Sequence, residues 1–246
     1  MFRKSLRLIA VPVAALALPL TIAGAQAGAA TAPAPGGAAV AGKKAAAPCL
    51  ADATTLVGDL DGDGHPDRIS NPGLTGTKVT VQWGAKNGTF GPTYAVSTLL
   101  GAKKGEVTTA AVADFQRDGT LDMVVNVVKP ADGDDAATAR IAQYRPGPLK
   151  RADLGSATAR HSDIGDRGEA RQLRIANYGG DAYPDLAILD NAGDGQLDRD
   201  VRLTKPGSGP GAHSYELQVK YGAFGSTSEP PAMPGDGWKH FYKPCS

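Results

Sequence analysis

Glutamate is almost missing from this 246-residue chain. Of 25 acidic residues only Glu106, Glu169, Glu216 and Glu229 are glutamate, and the other 21 are aspartate. Glutamate suits helices, whereas aspartate suits turns and tight loops. With 32 glycines and 18 prolines, this deficit predicts strands joined by turns, with little helix. A strong charge of either sign is also lacking. Long apolar runs are missing beyond the first thirty residues, so no later segment approaches membrane-spanning length. The Gly-x-Ser-x-Gly and His-Glu-x-x-His patterns of two hydrolase classes are absent. Cysteine is limited to Cys49 and Cys245.

The start, "MFRKSLRLIAVPVAALALPLTIAGAQAG", has a basic head of Arg3, Lys4 and Arg7. An apolar stretch over 8–24 follows, interrupted by Pro12 and Pro19, and small residues at Ala25 and Ala27 fit a cleavage site. Residues 1–27 are therefore expected to be a secretory signal peptide, the alternative being a short membrane anchor. Removing them leaves 23 basic against 25 acidic residues, a net charge of −2. That balance argues against nucleic-acid or anionic-membrane partners. Residues 28–48 are Ala/Gly/Pro-rich and read as a flexible leader, which leaves 49–246 as one β-rich domain. The two cysteines flank this domain. An exported chain meets oxidising conditions, so a Cys49–Cys245 disulfide is expected, with two free thiols as the alternative. Closing so long a loop contributes ~4–5 kcal/mol on the chain-entropy model.

One pattern occurs three times: "TLVGDLDGDGHPDRIS" (55–70), "AAVADFQRDGTLDMVV" (110–125) and "LRIANYGGDAYPDLAI" (173–188). Each runs from apolar residues into Asp or Asn and closes a nine-position loop on Asp. The loops start at Asp59, Asp114 and Asn177, 55 and 63 residues apart. Strand-like runs follow at 78–84, 93–100, 122–128, 139–144, 185–190, 199–204 and 214–222. About four short strands per period read as a propeller blade. The predicted fold class is all-β, a β-propeller-like array of about three four-stranded blades. Propellers usually have four to eight blades, so the segment near Cys49 and the tail "GWKHFYKPC" (237–245) are candidates for completing it.

The segments "VGDLDGDGHPDRIS…VQWGAKNGTFGP" and "DLAILDNAGDGQLDRDVRLTKPG" resemble the FG-GAP or VCBS-type repeat, the blade of integrin-α-like β-propellers. The resemblance spans roughly 54–222 and is strongest in the first repeat. It implies a Ca²⁺ site in each acidic loop and a binding module rather than a catalyst.

Ca²⁺ takes six to eight oxygens. Loop 1 (59–67) offers the carboxylates of Asp59, Asp61, Asp63 and Asp67 and the His65 carbonyl. It is not an EF-hand, because the twelfth position, Ser70, lacks the bidentate glutamate. Four carboxylates with no basic residue inside the loop favour a cation over an unliganded acidic turn. Loop 2 (114–122) keeps Asp114, Asp118 and Asp122, with Gln116 at position 3 and the Thr120 carbonyl. One charge fewer predicts weaker binding. Loop 3 (177–185) keeps Asn177, Asp181, Asp185 and the Tyr183 carbonyl, but Gly179 offers no side chain, and a metal-free turn is expected there. Asp190, Asp194 and Asp198 repeat the spacing but read as a hairpin turn.

The leading expectation is a secreted, calcium-stabilised module for an extracellular protein or glycan. The runner-up is a small polysaccharide- or ester-cleaving enzyme on the same scaffold, with no catalytic residues identified. His65, His161, His213 and His240 are scattered, and His161 beside Asp163 and Asp166 reads as a polar loop. Trp238, Phe241 and Tyr242 are expected to pack as a closing strand beside Cys245, with sugar stacking as the alternative. The insertions at 129–139 and 154–170 are candidate contact surfaces.

Overall fold

The structure, a computed structural model, describes residues 47–246 except 132, 134, 165–167 and 236. The expected signal peptide (1–27) lies outside the described residues, as do Asp166 and all but the last two residues of the leader. Among the described residues no helix is long and apolar enough to cross a membrane.

Three antiparallel sheets follow one another along the chain. The first is β1 (Cys49–Asp52), β2 (Thr55–Gly58), β3 (Asp67–Ser70), β4 (Thr80–Gly84) and β5 (Phe90–Ala95), in that order. A short helix, α1 (Val96–Leu99), leads to the second sheet: β6 (Val107–Ala113), β7 (Asp122–Val128), β8 (Ile141–Arg145) and β9 (Arg160–His161). The third sheet has β10 (Ala170–Ala176), β11 (Asp185–Gly193) and β12 (Gln196–Arg202). The chain then forms a small hairpin, β13 (Thr204–Lys205) with β14 (Gly209–Pro210), and a helix, α2 (Tyr215–Tyr221). Its next strand, β15 (Ala223–Ser226), completes the third sheet beside β12, and α3 (Gly237–Phe241) follows. The fold is all-β, built of three propeller-like blades that do not close into a barrel.

Apolar pairs hold each blade to the core. On β2 and β3, Leu56 faces Ile69 across the ladder and both are fully buried. Burial of each such side chain stabilises by about 1.5–3 kcal/mol. β7, the second strand of its sheet, is buried along its whole length, as its continuous "MVVNVV" run requires when both faces are covered. One apolar cluster joins residues of all three sheets with Trp238 and Tyr242. The sheets meet at Thr75 and Gly76, where Ala110 N donates to Gly76 O (2.8 Å) and Leu173 N to Thr75 O (3.2 Å). Gly76 has a left-handed φ of 78°, and a Cβ there would lie 2.6 Å from the Ala110 carbonyl oxygen. Only glycine fits this convergence without displacing a strand.

Three expected strands are corrected. Residues 96–99 of the 93–100 run form α1. The 214–222 run forms α2 rather than a strand. Its apolar alternation at Tyr215, Leu217, Val219 and Tyr221 competes with a helical stripe of Leu217, Gln218 and Tyr221. The helical stripe wins: Tyr215 and Val219 are exposed, Glu216, Leu217, Gln218 and Lys220 are good helix formers, and β15 holds the edge of β12. The tail is the third correction. Trp238 and Tyr242 are buried as expected, but on α3 and the turn after it. The only strand-like contact of this tail among the described residues is a single bridge, Leu50↔Pro244. At the other end, β1 does add an edge strand to the first sheet. The Cys49–Cys245 disulfide ties the two ends together, with a Cα–Cα distance of 5.0 Å.

Candidate metal centre

The three acidic loops hang from equivalent places. Loop 1 joins β2 to β3, loop 2 joins β6 to β7 and loop 3 joins β10 to β11. The residue before each loop pairs with its closing aspartate: Gly58↔Asp67, Ala113↔Asp122 and Ala176↔Asp185. The closing aspartates are buried and each gathers backbone donors from two directions. Asp67 accepts from Leu60 N (2.9 Å) and from Gly84 N (2.7 Å). Asp122 accepts from Phe115 N (3.0 Å), Gln116 N (3.2 Å), Gly147 N (2.8 Å) and the Tyr144 hydroxyl (3.0 Å). Asp185 accepts from Tyr178 N, Gly179 N and Thr204 N, each at 2.8 Å. In every loop the fifth residue caps the backbone N–H of the seventh: Asp63 to His65 (2.8 Å), Asp118 to Thr120 (2.9 Å) and Asp181 to Tyr183 (2.8 Å).

The interiors differ. In loop 1 Asp59 accepts from Gly62 N (2.7 Å) and Gly64 N (2.9 Å). Carboxylate oxygens of Asp59, Asp61 and Asp67 all lie within 4.8 Å of one another, the one such group of three among the described residues. A cation with Ca–O bonds of ~2.3–2.6 Å spans roughly 4.6–5.2 Å between opposite ligands, so this group fits Ca²⁺. Asp63 is outside the trio. In loop 2 Asp114 accepts from Asp118 N and Gly119 N, both at 3.0 Å. The Gln116 amide turns away and donates to Gly207 O (3.0 Å). In loop 3 Asn177 accepts from Gly180 N (3.0 Å) and its amide nitrogen meets His240 Nε2 at 2.6 Å.

Burial sets the electrostatics. It pushes Asp67 up from 3.8 to about 7, with Asp61 and Asp59 adding to the rise and the Gly84 and Leu60 N–H groups opposing it. Burial also pushes Asp122 up to about 7, against donors that include Gly147 N and the Tyr144 hydroxyl. Asp114 and Asp185 move upward for the same first cause. Without a cation these sites disfavour their own ionised form.

The basic neighbour that loop 1 lacks in sequence arrives from far along the chain. Arg151 contacts Asp61 Oδ2 through Nε and Asp63 Oδ2 through Nη2 (2.6 Å). Sequence reasoning missed it because the partners are 90 and 88 positions apart. Clefts flank the loops. One, of about 570 Å³, is lined by Asp114 of loop 2, Asp181 of loop 3, Arg117, His240, Phe241 and Tyr242. Another, of about 620 Å³, lies beside loop 1 and is lined by Trp83, Pro92, Tyr94, Leu99 and Arg151.

The remaining candidates spread out. His161 is exposed on β9, and Asp163 sits beside His213, whose N–H it accepts at 2.9 Å. His213 Nδ1 meets Asp200 Oδ2 at 3.0 Å, and Asp200 also pairs with the buried Arg202 at 2.6 Å. Asp194 occupies the β11–β12 turn with φ 52°, as its hairpin reading requires.

Residues 57–125 match the family model of the FG-GAP-like repeat. The match begins in β2, contains loops 1 and 2 and ends within β7. No curated protein and no solved structure matches the chain.

Proposed function

We propose, from the match of residues 57–125 to the FG-GAP-like repeat, that the chain is a secreted, calcium-stabilised binding module without catalytic activity. The observation that carries the calcium reading is the Asp59, Asp61, Asp67 group, whose oxygens lie within 4.8 Å of one another. Asp63 and the His65 carbonyl complete the set that loop 1 offers. Loop 2, with Asp114, Asp118, Asp122 and the Thr120 carbonyl, is a weaker second site. Loop 3, with Asn177, Asp181, Asp185 and the Tyr183 carbonyl, stands as a metal-free turn. The ion's role is to neutralise crowded carboxylates and lock the hairpin. Export is supported by the N-terminal pattern and by the Cys49–Cys245 bridge. The ligand class is an extracellular protein or glycan, and the clefts beside the loops are its candidate contact surfaces.

Thermal melting in calcium and in a chelator tests this reading. Calcium raises the melting temperature of the wild-type chain, and Asp61→Ala with Asp63→Ala removes most of that rise. An unchanged melting temperature in the wild type rejects the calcium role, and a full rise in the double variant moves the site elsewhere.

The Asp200–His213 pair favours a second reading, a polysaccharide- or ester-cleaving activity. Turnover of such substrates that disappears in Asp200→Asn would establish it. Lack of turnover across polysaccharide and ester panels returns the pair to a structural role beside Arg202.

A further inference from the structure

Arg151 is held at loop 1 by more than its charge. The irregular segment after β8 that leads to its turn is pinned twice: Gly147 N donates to Asp122 Oδ1 of loop 2 (2.8 Å), and Leu149 N donates to Leu60 O of loop 1 (2.8 Å). The backbone therefore delivers the guanidinium to the mouth of loop 1. There it pairs with Asp61 and Asp63, and Nη2 also reaches Gly84 O at 3.3 Å. Gly84 is the residue whose N–H binds Asp67, so Arg151 touches both walls of the acidic cluster. Its Cζ lies 5.6 Å from the Trp83 ring centroid. The Asp61 side chain is 6% exposed, while that of Arg151 is 45% exposed.

Asp61 thus has two claims on it. It belongs to the trio whose spacing fits a cation, and it is the carboxylate that Arg151 contacts. Two cations that share a carboxylate oppose each other, and by linkage each lowers the other's affinity by the same factor. We propose that Arg151 is a built-in competitor of the calcium ion at loop 1. With no metal it neutralises part of the cluster and keeps the loop formed. With metal bound its hold on Asp61 and Asp63 weakens, and the guanidinium is freer along the Trp83 wall of the neighbouring cleft. The calcium affinity of loop 1 is accordingly set by a residue of the second repeat. This rests on the reading that loop 1 takes calcium.

The test is a calcium titration in competition with a chromophoric chelator, at low ionic strength, on wild type, Arg151→Gln and Arg151→Lys. Exposed ion pairs are modest, so removing this one tightens calcium binding by roughly three- to tenfold in Arg151→Gln. Arg151→Lys, a cation without the two-pronged fork, falls between. Added salt narrows the gap. Melting supplies an independent readout: metal-free Arg151→Gln melts below metal-free wild type, and its calcium-induced rise is larger. Calcium binding that is unchanged or weaker in Arg151→Gln overturns the competitor role while leaving the calcium reading standing. Failure of all three chains to bind calcium overturns both.

Discussion

Loop 1 and loop 3 hang from the same register of the same kind of strand pair, yet only loop 1 gathers three carboxylates. Asp67 and Asp185 are both buried and both collect backbone N–H groups from the loop and from a later segment of the chain. Position 3 separates them: Asp61 in one loop, Gly179 in the other. Position 1 separates them too, as Asp59 and Asn177. The comparison divides the motif into two parts. The closing aspartate is a hydrogen-bonding clasp that builds the hairpin whether or not a cation is near. Positions 1 and 3 add the carboxylates that complete the trio in loop 1.

The largest expected effect concerns the clasp's protonation. In metal-free protein Asp67 titrates at about 7 instead of 3.8. Between those values the folded chain keeps a proton that the unfolded chain has released. Stability from this group is therefore fully present below the ordinary value and is lost as pH rises through about 7. At about 1.4 kcal/mol per pH unit of displacement, the full loss is on the order of 4 kcal/mol, of which roughly 3 kcal/mol falls between pH 5 and pH 8. Denaturant unfolding of metal-free protein at pH 5 and pH 8 should show it, and calcium should reverse the trend because the ion selects the ionised carboxylate. Greater metal-free stability at pH 8 than at pH 5 would mean that the Gly84 and Leu60 N–H groups outweigh burial at Asp67, and would break the burial account at loop 1.

Next in size is the clasp of loop 3. Asp185→Ala removes the acceptor of one buried and two partly buried N–H groups, at about 1 kcal/mol net each, so roughly 3 kcal/mol at most. The loss should be the same in calcium and in chelator. A loss seen only in calcium would mean that loop 3 holds an ion, and the contrast with loop 1 would disappear.

The smallest effect is the most discriminating. Gly179 is not in the left-handed region, and a Cβ built there lies 3.4 Å from Asp181 Oδ2 and 3.5 Å from Asp185 Oδ2. A side chain at 179 therefore points at the other carboxylates. Asn177→Asp combined with Gly179→Asp should convert loop 3 into a calcium site, read as an additional calcium-induced rise in melting temperature that corresponds to about 1 kcal/mol of stability. If the rise does not change, positions 1 and 3 are not what distinguishes the loops.

Much of this was legible in the chain itself. The three aspartate-closed loops, the strands at 122–128 and 185–190 and the Cys49–Cys245 bridge follow from local chemistry: turn residues, apolar runs and an even cysteine count. What was not legible depends on distant partners. Gly84, Gly147 and Thr204 serve the clasps through backbone N–H groups, which carry no residue signature. Arg151 is one of many surface cations until the fold brings it to Asp61. Residues 215–221 satisfy both a strand and a helix period, and the choice turned on β15 occupying the neighbouring edge, which no local window contains. The family match ends at residue 125, and the third repeat, read from its aspartate-closed loop, has the same strand register in Ala176↔Asp185.

The most direct test of the account is a calorimetric calcium titration of the wild-type chain beside Asp59→Asn/Asp61→Asn. The account predicts one tight site per wild-type chain that vanishes in the variant, with only the weaker site of loop 2 remaining. Absence of binding heat in the wild type, three equivalent sites, or a tight site that survives in the variant would contradict it.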